Sequence, residues 1–256
     1  MNKEKHELLM ELNSEDKNKV RIAVEKLSKY DDPEVVKALI KTAVKRKSKS
    51  ILEAVKASLI SMKSKEICRE AVRLFKYTEP KLRQLAIDVL TSKGDECISE
   101  ILEYLAKSKD YNMRKFALDI ASRLKTKSAF NTIKELINDE NPNVRNTAVE
   151  YLKELADMKD EVVLTLIDSM KYIKDLYSAT TFATTIIYGN FKDQRLTQPL
   201  KELLAKFKEP LIRHWIYKTL LFLGCDEVIG KALENAKKLG MEKDLEKDIE
   251  IFGVNK

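Results

Sequence analysis

Acid–base, nucleophilic or metal chemistry in this chain would have to be built from two histidines and three cysteines. His6 and His214 lie near opposite ends. Cys68, Cys97 and Cys225 are far apart, odd in number, and show no CxxC or ligand spacing. The cysteines are therefore expected as small core residues, not as a disulfide framework or a zinc site. No GxSxG, HExxH or phosphate-loop pattern occurs, so no catalytic, cofactor-binding or metal-binding residue is assigned.

What remains is the chemistry of binding. Leu176–Phe191 reads LYSATTFATTIIYGNF, a run without charge in a chain that is 35% charged. An uncharged, aromatic-bearing face suits a desolvated interface. The expected partner-binding set is Tyr177, Thr180, Thr181, Phe182, Thr184, Thr185 and Tyr188, joined by His214, Trp215 and Tyr217. The tyrosines offer area with a polar tip, the threonines offer hydroxyls, and His214 would titrate near neutral pH. The competing reading is a helix buried all round. A second candidate is an anion patch of Lys41, Lys45, Arg46, Lys47 and Lys49. Cations near a helix C-terminus are favourable without any ligand, and no aromatic is interleaved there for base stacking.

The elements that position these residues are helices. The chain has 256 residues, 44% hydrophobic, with only 6 Gly and 5 Pro. That is enough apolar residue for a core and too little turn chemistry for an all-β fold. The opening MNKEKHELLMEL mixes charges among its leucines, and no apolar run approaches a membrane span of about 20 residues. A cytoplasmic location is expected. Net charge is +7, from +9 in residues 1–128 and −2 in residues 129–256.

The strongest signal is an internal repeat. VRIAVEKLS from Val20, ILEAVKASL from Ile51, LRQLAIDVL from Leu82, MRKFALDIA from Met113 and VRNTAVEYL from Val144 align without gaps at 31-residue spacing. The first position is always aliphatic and the fifth is Val or Ala. The second is Arg in four of the five. A sixth copy near Leu176 has drifted, and IRHWIYKTL from Ile212 restores the pattern. A period of 20–50 residues means stacked supersecondary units. Each unit reads as two helices, the second starting near 18, 49, 80, 111 and 142. Pro80, Pro142 and Pro210 suit first helical positions. Gly94, Gly189 and Gly224 suit left-handed caps at helix ends.

With DENPNVRNTAVEYL (Asp139–Leu152) and its copies, the chain resembles the HEAT-repeat family, in the short form found in phycobilisome lyase subunits. The resemblance implies an all-α, right-handed α-α superhelix of about seven to eight pairs. These are expected at 3–30, 32–62, 65–93, 95–124, 127–156, 159–189, 193–224 and 226–252, in one solenoid over 1–256. It also implies an Asp–Arg link between repeats. Asp139 and Arg145 match it, whereas Ser108 and Tyr77 stand where Asp would recur. The family places second helices on the concave wall, where three columns are expected to face a partner. One runs Ile22, Glu53, Gln84, Lys115, Asn146. The next runs Lys26, Ala57, Asp88, Asp119, Glu150. The third runs Lys29, Ile60, Thr91, Ser122, Lys153. Asp88, Asp119 and Glu150 form a possible strip for a basic peptide, or pair with nearby cations.

The expected function is a non-catalytic protein-binding scaffold or adaptor without cofactor. Its partner would be another protein, a peptide, or a second copy held through the C-terminal half. A nucleic-acid or anion binder using the basic N-terminal half is the alternative, weakened by the acidic column. A lyase- or glycosylase-like enzyme is the third reading. It lacks the basic concave groove rich in aromatics that a glycosylase would need.

Overall fold

The computed structural model describes residues 3–254, the side chains of 95–97 excepted. Among the described residues the chain is all-α. The helices are α1 Lys3–Glu11, α2 Lys17–Leu27, α3 Pro33–Arg46, α4 Lys49–Ser61, α5 Glu66–Val72, α6 Pro80–Thr91, α7 Asp95–Ala106 and α8 Tyr111–Leu124. They continue with α9 Lys127–Leu136, α10 Pro142–Tyr151, α11 Lys159–Ser169, α12 Leu176–Tyr188, α13 Thr197–Lys206, α14 Pro210–Phe222, α15 Ile229–Leu239 and α16 Glu242–Phe252. Second helices thus begin at 17, 49, 80, 111 and 142, within one residue of the positions set by the repeat.

The chain divides into two compact units, Met1–Ala129 and Phe130–Lys256. In the first, α2, α4, α6 and α8 pack in sequence on one another, and α3, α5 and α7 do the same, giving two layers. In the second unit the corresponding inner row is α10, α12, α14 and α16.

Local chemistry explains the helix starts. Pro33, Pro80, Pro142 and Pro210 occupy first-turn positions, where the missing N–H has no helical partner to lose. Asp16, Asp32, Asp110 and Asn141 accept first-turn backbone N–H groups, each cap worth about 1 kcal/mol. The first repeat position is fully buried at Val20, Ile51, Leu82 and Val144, and the fifth at Val24, Val55, Ala86, Ala117 and Ala148. Small side chains at the fifth position let adjacent second helices approach closely.

The 31-residue period reappears as bonds between neighbouring pairs. Ser58 Oγ donates to Val24 O, Asp31 accepts the N–H groups of Lys63 and Ser64, and Lys93 Nζ donates to Ile60 O and Met62 O. In the sixth copy both steps are long, 142 to 159 and 159 to 176, with 3-10 segments after α10 and α11, so α12 starts at Leu176 instead of residue 173.

Three expectations are corrected. Gly189 has φ −75, and the left-handed residue beside it is Asn190. Glycine is needed at 189 for closeness instead: a Cβ would lie 2.3 Å from the Phe191 ring and 2.7 Å from Thr185 O. Gly94 and Gly224 do take positive φ. Cys68 is disulfide-bonded, which the wide spacing of the cysteines along the chain does not show. Cys225 is a free buried thiol, and the expectation for Cys97 lies outside the described side chains. Asn146, assigned to the open wall, is buried, since α12 packs on α10.

Candidate functional site

The arginine column is structural. Arg83 Nε donates to Tyr77 O at 2.8 Å, Arg114 to Ser108 O at 2.8 Å, Arg145 to Asp139 O at 2.7 Å, and Arg213 to Phe207 O at 3.0 Å. In each case the acceptor is the backbone carbonyl six residues earlier. The resemblance implied an Asp at that position. The bond needs only the carbonyl, which explains why Tyr77 and Ser108 serve as well as Asp139. Arg83 also lies over the Phe116 ring and Arg145 over Tyr172, each ring belonging to the following helical pair.

The charged candidates are largely engaged within the chain. Asp88 meets Arg123 at 3.1 Å and Lys56 at 3.7 Å, and Glu150 meets Lys153 at 3.0 Å. Asp119 carries an interaction as well. These pairings remove most of the open charge that a basic peptide would need. In the basic cluster, Arg46 donates to Ser14 O and Lys47 pairs with Glu79. Lys41, Lys45 and Lys49 stay exposed.

The uncharged segment divides in two. α12 starts with a capping box between Asp175 and Ser178. On its covered side Thr181, Phe182 and Thr185 are buried. The hydroxyls of Thr181 and Thr184 donate to carbonyls one turn earlier, and Thr185 donates to Val149 O in α10. They are therefore satisfied by backbone and not offered to a ligand. Tyr177 and Tyr188 are exposed, at 60% and 76%, while Thr180 and Thr184 are intermediate.

α14 is packed by α12, α13, α15 and α16. His214 and Tyr217, each 3% exposed, are consequently core residues and not surface ligands. Tyr217 accepts from Arg213 at 2.7 Å. Burial, aided by the nearby Lys218 charge, pushes the His214 pKa down from its ordinary value, so the imidazole is neutral at pH 7. Its Nδ1 has no hydrogen-bond partner. Five expected contact residues, Thr181, Phe182, Thr185, His214 and Tyr217, thus do not present surface.

Beside them lies a groove of about 440 Å³ across α12, α14 and α16. Its apolar lining comes from Ile187 and Tyr188, from Trp215 and Phe222, and from Ile251 and Phe252. Phe222 and Phe252 meet edge to face at 5.4 Å. Lys218 and Asp248 form an ion pair at 2.6 Å between α14 and α16, each 20% exposed. Lys218 lies over the Trp215 ring and Lys192 over Phe222. Ile251 is 78% exposed at the rim.

Of the eleven residues that line this groove, the sequence pointed to Thr184, Tyr188 and Trp215 and not to the other eight, Lys192, Lys218, Phe222, Asp248, Ile251 and Phe252 among them. The available signal was the aromatic last residue of α12, α14 and α16, which are Tyr188, Phe222 and Phe252. Helix ends set at those residues would have aligned them.

Residues 98–176 match the family model for HEAT repeats, so the resemblance holds over that span. Among solved structures, an engineered protein is similar at 16% identity, over 86% of this chain and 98% of that one, with a TM-score of 0.37. The complex of CpcE and CpcF of phycocyanin lyase from Nostoc sp. PCC7120 is similar at 14% identity over 94% of each chain, with a TM-score of 0.35. A designed armadillo repeat protein is similar at 14% identity, over 85% of this chain and 98% of that one, with a TM-score of 0.32. No curated protein matches. Among the described residues no helix is long and apolar enough to cross a membrane.

Proposed function

We propose that the Phe130–Lys256 unit is a non-catalytic protein-interaction module, and that the groove across α12, α14 and α16 receives an apolar segment of a partner. One observation carries this reading: Tyr188 and Ile251, two large apolar side chains, stand exposed in a groove that Trp215, Phe222 and Phe252 also line. Large aromatic and aliphatic side chains around a concavity are the usual energetic centre of an interface. The rim residues are free to be covered because their own helices are anchored elsewhere, α12 through its cap and α16 through its packing on α14 and α15.

The test is quantitative capture from native cell extract. Wild-type protein is compared with a Tyr188→Ser/Ile251→Ser variant and with Leu164→Ser, a change at an exposed apolar residue outside the groove. Proteins retained by wild type and Leu164→Ser, and depleted on the double variant, are the expected result. An identical retained set on all three would contradict the reading.

A further inference from the structure

Resting on that reading, we infer that the groove selects a segment in which a large apolar side chain is flanked by a carboxylate, and that Lys192 is the residue that reads the charge.

Three groove residues carry charge: Lys192, Lys218 and Asp248. Asp248 is closed off as a receptor for a cation, because it is bonded to Lys218 at 2.6 Å and both are largely covered. Aromatic faces are the other feature that would attract a cation. Two of the four aromatic rings that line the groove, Trp215 and Phe222, already carry a cation of the chain itself. Lys218 Nζ sits 5.4 Å from the Trp215 centroid and Lys192 Nζ 5.1 Å from the Phe222 centroid. A basic side chain entering the groove would meet two ammonium groups and no open acid.

Lys192 differs from Lys218. It is exposed and makes no ion pair among the described residues. Beside it Asn190 is also exposed, held at φ 53, so this corner of the groove is polar and cationic. Ile251 adds exposed apolar surface to the same groove. With Lys218 and Asp248 paired, the net lining charge is positive and is that of Lys192. Complementary charge at an interface mainly sets which partner is accepted. The structure thus favours acidic over basic partners, although residues 129–256 are net negative. The sign at the groove is set locally by Lys192.

The experiment is a selection on the immobilised full chain from a random 12-residue peptide library lacking cysteine. Enriched peptides are then titrated while following the fluorescence of Trp215, which is the chain's one tryptophan and lines the groove. The inference predicts peptides with Phe, Trp, Leu or Ile within three positions of Asp or Glu. They should bind wild type saturably, lose at least tenfold on Tyr188→Ser/Ile251→Ser, and lose three- to tenfold on Lys192→Glu. Peptides that need Tyr188 and Ile251 but are basic or uncharged, or that bind Lys192→Glu unchanged, would overturn the inference and leave the groove standing. No enrichment, or equal binding to the double variant, would overturn the groove itself and the inference with it.

Discussion

At the residue scale, the best-defined interaction is that of the arginine column. Arg114 is 6% exposed and bridges Ser108 O and Lys109 O. Charge-assisted bonds in such a site are worth roughly 1–3 kcal/mol, so Arg114→Ala should lower the unfolding free energy by about that amount in a denaturant titration. Ser108→Ala keeps the carbonyl and removes only the exposed bond from Asp110 N–H to Ser108 Oγ, so it should cost less, about 0.5 kcal/mol. Near-equal losses in the two variants would show that the carbonyl bond is not what holds the column. His214 gives a second prediction. Its folded pKa is depressed, so the unfolded chain takes up a proton first as pH falls. Stability is fully present above about pH 6.5, the ordinary histidine value. It is lost as pH drops through that value towards the lower folded pKa. Lys218, Asp248 and Asp244 are the charges felt by the ring. His214→Leu should flatten the slope between pH 6.5 and 5.5, by at most about 1.4 kcal/mol per pH unit. An unchanged slope would place the pH dependence elsewhere.

At the element scale, α12 is held by its cap and by its neighbours more than by helix propensity, since its Thr and Ile residues are poor helix formers. Asp175→Ala removes the carboxylate that accepts from Ser178 N. A loss of about 1 kcal/mol is expected, with faster amide exchange in the first turn of α12 and no change in α14. Starts of second helices were readable from sequence because the Val or Ala at the fifth position is buried in all five copies and the first position in four, Met113 being half-buried. The identity of buried against open residues on α12 and α14 was less readable. A helical wheel assumes one covered face, whereas α14 is covered by four helices, which turns His214 and Tyr217 inward. Ile251 and Phe252 were missed because α16 follows the last segment in which the repeat motif can be recognised. The groove therefore drew three of its residues from sequence and the rest from packing.

At the scale of the whole molecule, the two compact units carry different chemistry. In Met1–Ala129 the wall charges are largely paired with one another, as at Asp88 with Lys56 and Arg123. In Phe130–Lys256 the row α12, α14 and α16 carries a groove with aromatic lining, where Lys192 makes no ion pair among the described residues. The strict 31-residue period runs on into α10, inside the second unit, and is lost between α10 and α12. A partner seated between Tyr188 and Ile251 is detected by site-specific photocrosslinking in the native cell, with p-benzoylphenylalanine in place of Tyr188, Ile251 or Leu164. Discrete adducts to the same protein are predicted from positions 188 and 251 and not from 164. Equal adduct yield at all three positions, or none at 188 and 251, would contradict it.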